Sequence, residues 1–326
     1  MKQSYTSISL YNNCGFKYYL QYVLKNFFYT PNVSAELGSL VHWTEQQISE
    51  YIKAGKPIPY EQIKELFYSI HKSETVEGRK STIKGWNLLY DQYQKECEDI
   101  SEKSGMSYVD KVNKYLEEGI YRQEQYMKEH PEKIIWDCEH RFEFNYNGEV
   151  LNGYIDKILY DDKNVQYDII DYKTKDEEFS GTDVSTPIQF VIYTLALNKE
   201  LKITDLYEIF ADCYYDLVFL GKTQRVCTNG YMKRGLKKLD ETLEDIEQKS
   251  WTPKPSPLCH WCPFNCNNPN APKEGKFLCA YGSKWTRDKK TFEVFNQWQG
   301  LQEDKQIQFD HQLKQSKLYP NTDFIL

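Results

Sequence analysis

The stretch from Trp136 to Thr174 constrains the fold more than any other, because apolar and polar residues alternate through three successive runs. The first two runs flank Asn147-Gly148, a dipeptide that favours a two-residue hairpin turn. The third run, VQYDIIDYKT, follows the polar turn DDKN. Three consecutive antiparallel strands are therefore predicted, and Asp156 and Asp171 lie inside two of them.

Helical periodicity surrounds these strands. The predicted helices cover residues 7–24, 34–55, 186–201 and 230–250. Ser34 is the expected N-cap of the second helix, which is expected to end near Gly55, and Pro187 lies in the first turn of the third. Residues 60–130 are polar and predict further helices without a clear strand, whereas a fourth strand is predicted to end at Gly221.

This order of elements predicts an α/β fold with a central sheet, a helical insertion and a Cys-rich C-terminal segment. A proline-rich linker, WTPKPSPLC, precedes the cysteines. The predicted division of the chain is 1–55 (N-terminal helices), 56–135 (helical insertion or cap), 136–250 (core) and 251–326 (Cys-rich segment and tail), all within one integrated domain.

Composition excludes some classes of protein. A mean hydropathy of -0.73 and the lack of a long apolar run argue against a membrane span or a membrane partner. The N-terminal residues lack the order of a signal peptide, so a cytoplasmic location is expected, with the nine cysteines as thiols or metal ligands. A net charge of -7 argues mildly against coating of nucleic acid, but allows an enzyme with a local basic groove.

The two aspartates and a nearby lysine are candidates for a metal site. Asp171 and Lys173 share one face of their strand, and the antiparallel neighbour can bring Asp156 to the same place. Two adjacent carboxylates repel each other unless a cation neutralises them, and hard oxygen ligands suit Mg²⁺ or Mn²⁺. The alternative is a half-exposed sheet with Asp and Lys on its wet face.

Several motifs together resemble a known family. GYID and IIDYKT are similar to the two central motifs of the PD-(D/E)XK nucleases, in particular the RecB-like exonucleases. GSLVH resembles their upstream helical motif, with His42 as its histidine, and QFVIY resembles their Q-x-x-x-Y motif. SISLYNNCGFKYYLQYV resembles an N-terminal element that carries a lone cysteine. The resemblance implies a restriction-endonuclease-like core and metal-dependent hydrolysis of DNA.

The same resemblance implies roles for individual residues. The implied ligands of Mg²⁺ or Mn²⁺ are His42, Asp156, Asp171 and the backbone carbonyl near Tyr172. The implied catalytic residues are Asp156, Asp171, Lys173, Gln189 and Tyr193. Lys173 would position or activate the attacking water, and Gln189 and Tyr193 would steady the scissile strand.

The C-terminal cysteines predict a second metal site. Cys259, Cys262, Cys266 and Cys279 have a spacing that suits zinc or an iron–sulfur cluster. The resemblance extends to AddB-type subunits and CRISPR-adaptation exonucleases, and it implies a 4Fe–4S cluster held by Cys14 and three C-terminal cysteines. Cys279 is the preferred last ligand because apolar residues precede it, and Cys266 is the alternative.

The expected function is therefore a DNA exonuclease that acts on single-stranded or duplex ends in repair, recombination, or phage or CRISPR DNA processing. GKT at 221–223 is not a phosphate-binding loop, because Asp216 stands where a glycine is needed, so a helicase or recombination protein would be a separate partner. Two alternatives remain: a catalytically silent nucleic-acid-binding or assembly subunit, and a zinc-stapled endonuclease.

Overall fold

The computed structural model describes residues 2–28, 32–76, 79–203, 211–226, 230–254, 256–265, 268, 271–273 and 279. Its helices are α1 (Tyr5–Asn13), α2 (Gly15–Tyr18), α3 (Val33–Lys53), α4 (Tyr60–Ser69), α5 (Trp86–Gln92), α6 (Gln94–Glu98), α7 (Tyr108–Glu117), α8 (Arg122–Glu129), α9 (Thr182–Ser185), α10 (Ile188–Glu200) and α11 (Tyr231–Glu247). Its strands are β1 (Lys2–Gln3), β2 (His71–Val76), β3 (Arg79–Lys84), β4 (Lys133–Tyr146), β5 (Glu149–Asp161), β6 (Gln166–Lys173), β7 (Ala211–Leu217) and β8 (Lys222–Arg225). Single turns of π or 3-10 type cover Tyr19–Val23, Gly119–Tyr121, Val218–Leu220 and Pro257–Trp261.

Six strands form one mixed sheet in the order β4-β5-β6-β7-β8, with β1 paired to the first residues of β5. The β4·β5, β5·β6 and β7·β8 pairs are antiparallel, whereas β1·β5 and β6·β7 are parallel. Leu159, Ile170 and Tyr172 on one face of the sheet belong to a large apolar core that includes Leu40 of α3 and Val112 of α7. The predicted α/β fold with a central mixed sheet flanked by helices is confirmed.

The hairpin between β4 and β5 follows the sequence prediction. Asn147 and Gly148 both have positive φ, at 50° and 88°, as a type I′ turn requires. Tyr146 therefore pairs with Glu149 at the turn, and this register continues as far as Asp137 with Ile158, beyond which it shifts at a bulge between Ile135 and Asp137. This turn sets which residues of β4 lie opposite those of β5.

The described residues form two compact units. The sheet unit takes the residues up to Tyr5 and those from Asn32 to Asp240, and it contains the six-stranded sheet. The cysteine unit takes Thr6 to Phe28 and the described residues from Glu241 onward. The predicted four-part division by residue number stays a prediction.

The N-terminal helices differ from prediction at their ends. The first predicted helix breaks at Cys14, whose backbone is extended and whose thiol accepts a hydrogen bond from the Lys17 N–H at 3.4 Å. Asn32, not Ser34, caps α3, because its Oδ1 accepts from the Ala35 N–H at 2.9 Å. α3 ends as expected, with Gly55 in the left-handed conformation just beyond it.

The insertion is not purely helical, contrary to prediction. β2 and β3 form an antiparallel hairpin within it, from His71 paired with Lys84 to Val76 paired with Arg79. The many charged residues of these strands hid the strand signal that their β-branched residues carry. β1 and β8 also escaped prediction, because two and four residues are too few to show a period.

The fourth predicted strand corresponds to β7, which ends at Leu217 and is followed by a 3-10 turn before Gly221. Its expected beginning, residues 206–210, lies outside the described residues. Among the helices that the structure describes, none combines the length and apolar character that a membrane crossing needs.

Candidate active site and cysteine cluster

Asp156 and Asp171 lie where β5 and β6 separate. The last pair between these strands is Lys157 with Ile170, so the next residues of each strand are Asp156 and Asp171, on the same face. The Asp156 carboxylate takes the place of the missing ladder partner, because its Oδ2 accepts a hydrogen bond from the Tyr172 N–H at 2.8 Å. The divergence of two strands thus places both carboxylates at one edge, as the sequence predicted.

His42 reaches the same place from the middle of α3. Its Nδ1 lies 3.3 Å from Asp156 Oδ2, and its ring packs edge-on against the Tyr172 ring with 5.8 Å between centroids. α3 packs against β4 and β5, and this packing carries the histidine to the strand edge. His42 and Asp156, two of the implied metal ligands, therefore lie in contact.

Glu139, which was not among the predicted ligands, completes this group. Among the described residues, ligand atoms of His42, Glu139 and Asp156 lie within 4.8 Å of one another. Glu139 stands in β4 between the pairs Cys138–Lys157 and His140–Ile155, opposite Asp156. A count back from the Asn147-Gly148 turn leads to this position, so the signal was present in the sequence.

The backbone of Glu139 is unusual for a strand, with a φ of 48°. A non-glycine residue in the left-handed region costs about 1–3 kcal/mol and is held only where surrounding structure imposes it. Here the antiparallel pairs on both sides of Glu139 impose it. Such strain often accompanies functional sites, which agrees with the position of this carboxylate beside Asp156.

Asp171 lies beside this group and is held by other residues. Its Oδ2 lies 2.5 Å from Lys173 Nζ, and its Oδ1 accepts a hydrogen bond from Gln189 Nε2 at 2.6 Å. Gln189 Nε2 also lies 2.9 Å from the hydroxyl of Tyr193, one turn further along α10. Lys173 Nζ donates to Gln189 Oε1 at 3.3 Å. The predicted residues of β6 and α10 therefore form one hydrogen-bonded set.

The charges of this site perturb one another. Burial by itself would lower the pKa of His42, but the carboxylates of Asp156 and Asp171 outweigh it and raise that pKa to about 9. Burial raises the pKa of Asp171, and the charge of Asp156 adds to this effect. Burial also raises the pKa of Glu139 to about 7, again helped by Asp156. Several acidic groups thus compete for too little positive charge.

The opposite face of the sheet fixes the Tyr172 side chain. Its hydroxyl lies 3.5 Å from Ser49 Oγ, which donates to Gln123 Oε1 at 2.7 Å. The same Gln123 oxygen accepts from the buried Lys157 ammonium at 3.1 Å. Because Tyr172 and Lys157 each adjoin a site aspartate in the chain, this buried network holds the backbone of both strands in place.

The donor set fits a divalent cation. An imidazole nitrogen and carboxylate oxygens converge from three elements, and a positive ion would relieve the repulsion by which Asp156 raises the pKa of Glu139 and of Asp171. Mn²⁺ accepts mixed nitrogen and oxygen ligands, and Mg²⁺ accepts the carboxylates.

A second cluster lies within the cysteine unit. Cys14, Cys259, Cys262 and Cys279 all line one cavity of about 170 Å³. Cys279 reaches it because its N–H bonds the carbonyl of Phe264, two residues after Cys262, at 3.0 Å. Cys266, the alternative ligand, lies outside the described residues.

The surroundings of these thiols suit soft metal ligands. The Ser256 N–H approaches Cys259 Sγ at 3.5 Å, and the Lys17 N–H approaches Cys14 Sγ at 3.4 Å. Burial raises the pKa of the Cys262 thiol to about 11, although the charge of nearby Lys17 opposes this effect. Thiols collected in a small cavity with N–H donors fit an iron–sulfur cluster or zinc.

Comparisons with known proteins agree with this geometry. The family model of the PD-(D/E)XK nuclease superfamily matches residues 2–266, which is most of the 326-residue chain. A comparison with curated proteins found no significant match. The match spans both the aspartate–lysine site and most of the cysteine cluster, and members of this superfamily are metal-dependent nucleases. The chain therefore belongs to the PD-(D/E)XK nuclease superfamily.

Proposed function

We propose that this protein is a Mg²⁺- or Mn²⁺-dependent DNA exonuclease of RecB-like type that carries an iron–sulfur cluster. The observation that carries the proposal is the convergence of the His42–Glu139–Asp156 group with the Asp171–Lys173 pair at the edge where β5 and β6 separate. Superfamily membership supports assignment to the nuclease class. The metal, the exonuclease action and the iron–sulfur cluster are proposed from individual residues.

His42, Glu139 and Asp156 are the proposed first ligands of the metal, because their donor atoms already lie close together. Asp171 and the Tyr172 carbonyl are the proposed ligands on the β6 side. A bound divalent cation would polarise the scissile phosphate and lower the pKa of a coordinated water. The Tyr172 N–H and the Gln189 amide each hold one carboxylate, so the ligands need little rearrangement.

Lys173 is the proposed residue that positions the attacking water. Burial alone would lower its pKa, but Asp171 and Asp156 reverse this and raise it, so the ammonium stays charged. A charged lysine donates hydrogen bonds and does not accept a proton, which favours orientation of water and stabilisation of developing negative charge. Gln189 holds both Lys173 and Asp171 and fixes their separation.

Exonuclease action is proposed because the insertion would form a cap that selects free DNA ends. Several helices and the β2·β3 hairpin precede the core strands, and α3, α4, α5 and α7 share one apolar core with the sheet. A cap of this kind would admit a threaded strand more readily than an uninterrupted duplex. A separate helicase or recombination protein would supply ends in DNA repair or in phage or CRISPR DNA processing.

The cleavage test compares the anaerobically purified protein with Asp171→Asn on end-labelled linear DNA and on circular DNA. Asp162→Asn is the matched control, because this exposed aspartate lies in the turn that joins β5 to β6. We expect linear DNA to be degraded with Mg²⁺ or Mn²⁺ by the wild type and the control, but not by Asp171→Asn or with EDTA.

Cleavage of circular DNA would show that the protein is an endonuclease and not an exonuclease. If the folded protein cleaves neither linear nor circular DNA with either metal, the result would favour the alternative of a catalytically silent binding or assembly subunit. The product ladder from the linear DNA would show the polarity.

The iron–sulfur proposal has its own test, independent of cleavage. We expect brown protein with broad visible absorbance and bound iron, which Cys279→Ser loses and Cys97→Ser keeps. Cys97 is a suitable control because it is buried in the sheet unit, in the apolar core. A colourless wild-type protein with stoichiometric zinc would support the zinc-stapled alternative.

A further inference from the structure

The segment that follows Lys173 is held firmly by side chains from neighbouring elements. Gln224 of β8 bonds both backbone groups of Phe179, since its Oε1 accepts from the N–H at 2.8 Å and its Nε2 donates to the carbonyl at 2.9 Å. Asp176 pairs with Lys111 at 2.7 Å, and Glu177 pairs with Lys103 at 2.6 Å. Residues 174–180 therefore present their side chains in a fixed arrangement.

Phe179 extends an aromatic stack that begins at the active site. Its ring lies 4.1 Å from the ring of Tyr215, with 29° between the planes. Tyr215 is the partner of Asp171 in the parallel β6·β7 register, and Lys173 Nζ lies 5.6 Å from its ring centroid. Phe190 of α10 packs against Tyr215 and limits its movement. The stack thus leads from Asp171 and Lys173 to Phe179.

The Lys175 ammonium also lies against the ring of Phe179, 4.2 Å from the ring centroid. The Lys175 side chain is 39% exposed, and its Nζ lies 3.7 Å from Glu177, a weak surface pair. A cation–π contact at an exposed site is weak, so this lysine is readily displaced. An exposed lysine can also bind a phosphate. Phe179 and Lys175 therefore offer a ring for the base and an ammonium for the phosphate of the same nucleotide.

We propose that Phe179 is a stacking platform for an unpaired base of the DNA substrate next to the scissile phosphate, and that Lys175 moves from the ring to the backbone phosphate. This inference rests on the proposed nuclease function and adds the substrate class, a single-stranded or frayed end. A base within an intact duplex has both faces covered by its neighbours, so only an unpaired base can lie on the ring.

The test uses a short single-stranded oligonucleotide and a set of the same oligonucleotide with one abasic nucleotide at each successive position. Binding is measured by fluorescence anisotropy with Ca²⁺, and cleavage is measured as kcat/KM with Mn²⁺. The variants are Phe179→Leu, which removes the ring, and Phe179→Tyr, which keeps it. Asp171→Asn shows whether the cleavage comes from this site.

We expect Phe179→Leu to weaken binding and to lower kcat/KM on the intact oligonucleotide by about 5- to 150-fold, the factor that corresponds to about 1–3 kcal/mol of base–aromatic stacking. Phe179→Tyr should retain wild-type values. At one abasic position the wild type should fall to the level of Phe179→Leu, and the variant should be insensitive to that substitution. Thermal unfolding at the wild-type temperature shows that the variant is folded.

The proposal is overturned if Phe179→Leu matches the wild type on the intact oligonucleotide, or if both proteins respond equally to every abasic position. It is also overturned if neither protein binds single-stranded DNA with Ca²⁺. These outcomes differ from failure of the nuclease function, which would appear as cleavage that survives Asp171→Asn or as no cleavage of any DNA.

Discussion

The carboxylate of Asp176 anchors the segment after Lys173, and its removal should leave the buried Lys111 ammonium without a partner charge. Asp176 pairs with Lys111 Nζ at 2.7 Å and accepts hydrogen bonds from the hydroxyls of Ser101 and Ser104 at 2.7 and 3.3 Å. The Lys111 side chain is only 3% exposed and that of Asp176 is 19% exposed, so the pair lies largely out of water. Asp176→Ala leaves the Lys111 ammonium buried without its counter-ion.

The expected size of the effect follows from this burial. Removing one partner of a fully buried pair costs about 3–5 kcal/mol, and the partial exposure of Asp176 reduces our expectation to about 2–4 kcal/mol of unfolding free energy. Adding Lys111→Met to Asp176→Ala removes the unpaired ammonium and keeps an apolar side chain of similar length. The double variant should therefore be more stable than Asp176→Ala alone.

Urea unfolding followed by circular dichroism at neutral pH measures these differences for the wild type, both single variants and the double variant. The loss in Asp176→Ala should also depend on pH. Burial by itself would raise the pKa of Asp176, but Lys111 and the two serines lower it below the ordinary 3.8. A lowered pKa means that the stabilisation is complete above pH 3.8 and disappears as the pH falls through the folded-state pKa.

Two results would refute this reasoning. One is an Asp176→Ala variant within about 0.5 kcal/mol of the wild type, the range of an ordinary surface substitution. The other is a double variant that loses the full sum of the two single effects, because independent contributions would mean that the two charges are not coupled.

Two further changes test the active site and the cysteine unit. Gln189→Leu removes the hydrogen bonds to Asp171 and Lys173, so kcat should fall about 10- to 100-fold with KM little changed, and an unchanged kcat in steady-state cleavage would contradict the positioning role. Gly15→Ala would place a Cβ 3.0 Å from the Thr252 carbonyl oxygen, so the unfolding free energy should fall by roughly 1–3 kcal/mol, and a thermal unfolding curve that does not shift would contradict this close approach.

The sequence predicted the core strands well because their signals are local. Alternation and the Asn147-Gly148 turn depend on neighbouring residues alone, and the observed φ values of both turn residues agree with them. The convergence of Asp156 and Asp171 also followed from the short turn that makes their two strands antiparallel neighbours. The confirmed parts are therefore the fold class, the hairpin and the convergence of the two aspartates.

Other features were missed because they depend on weak or distant signals. The β2·β3 hairpin carries charged residues that masked its strands. Asn32 caps α3 because its side chain meets the Ala35 N–H, although Ser34 is an equally good capping residue by type. Glu139 could have been found by register, but a carboxylate in an alternating strand looks like an ordinary exposed residue.

By itself, the sequence determined the three core strands, the turn that sets their register and the superfamily motifs, because each is encoded in residues close together along the chain. Only the tertiary structure decided that His42 of α3 lies beside Glu139 and Asp156, that Gln189 holds Asp171, and that Cys279 lines a cavity with Cys14. The physical reason is that these distances depend on how helices pack against a sheet or against a distant loop. That packing is a sum of many contacts between residues far apart in the chain, which no local pattern records.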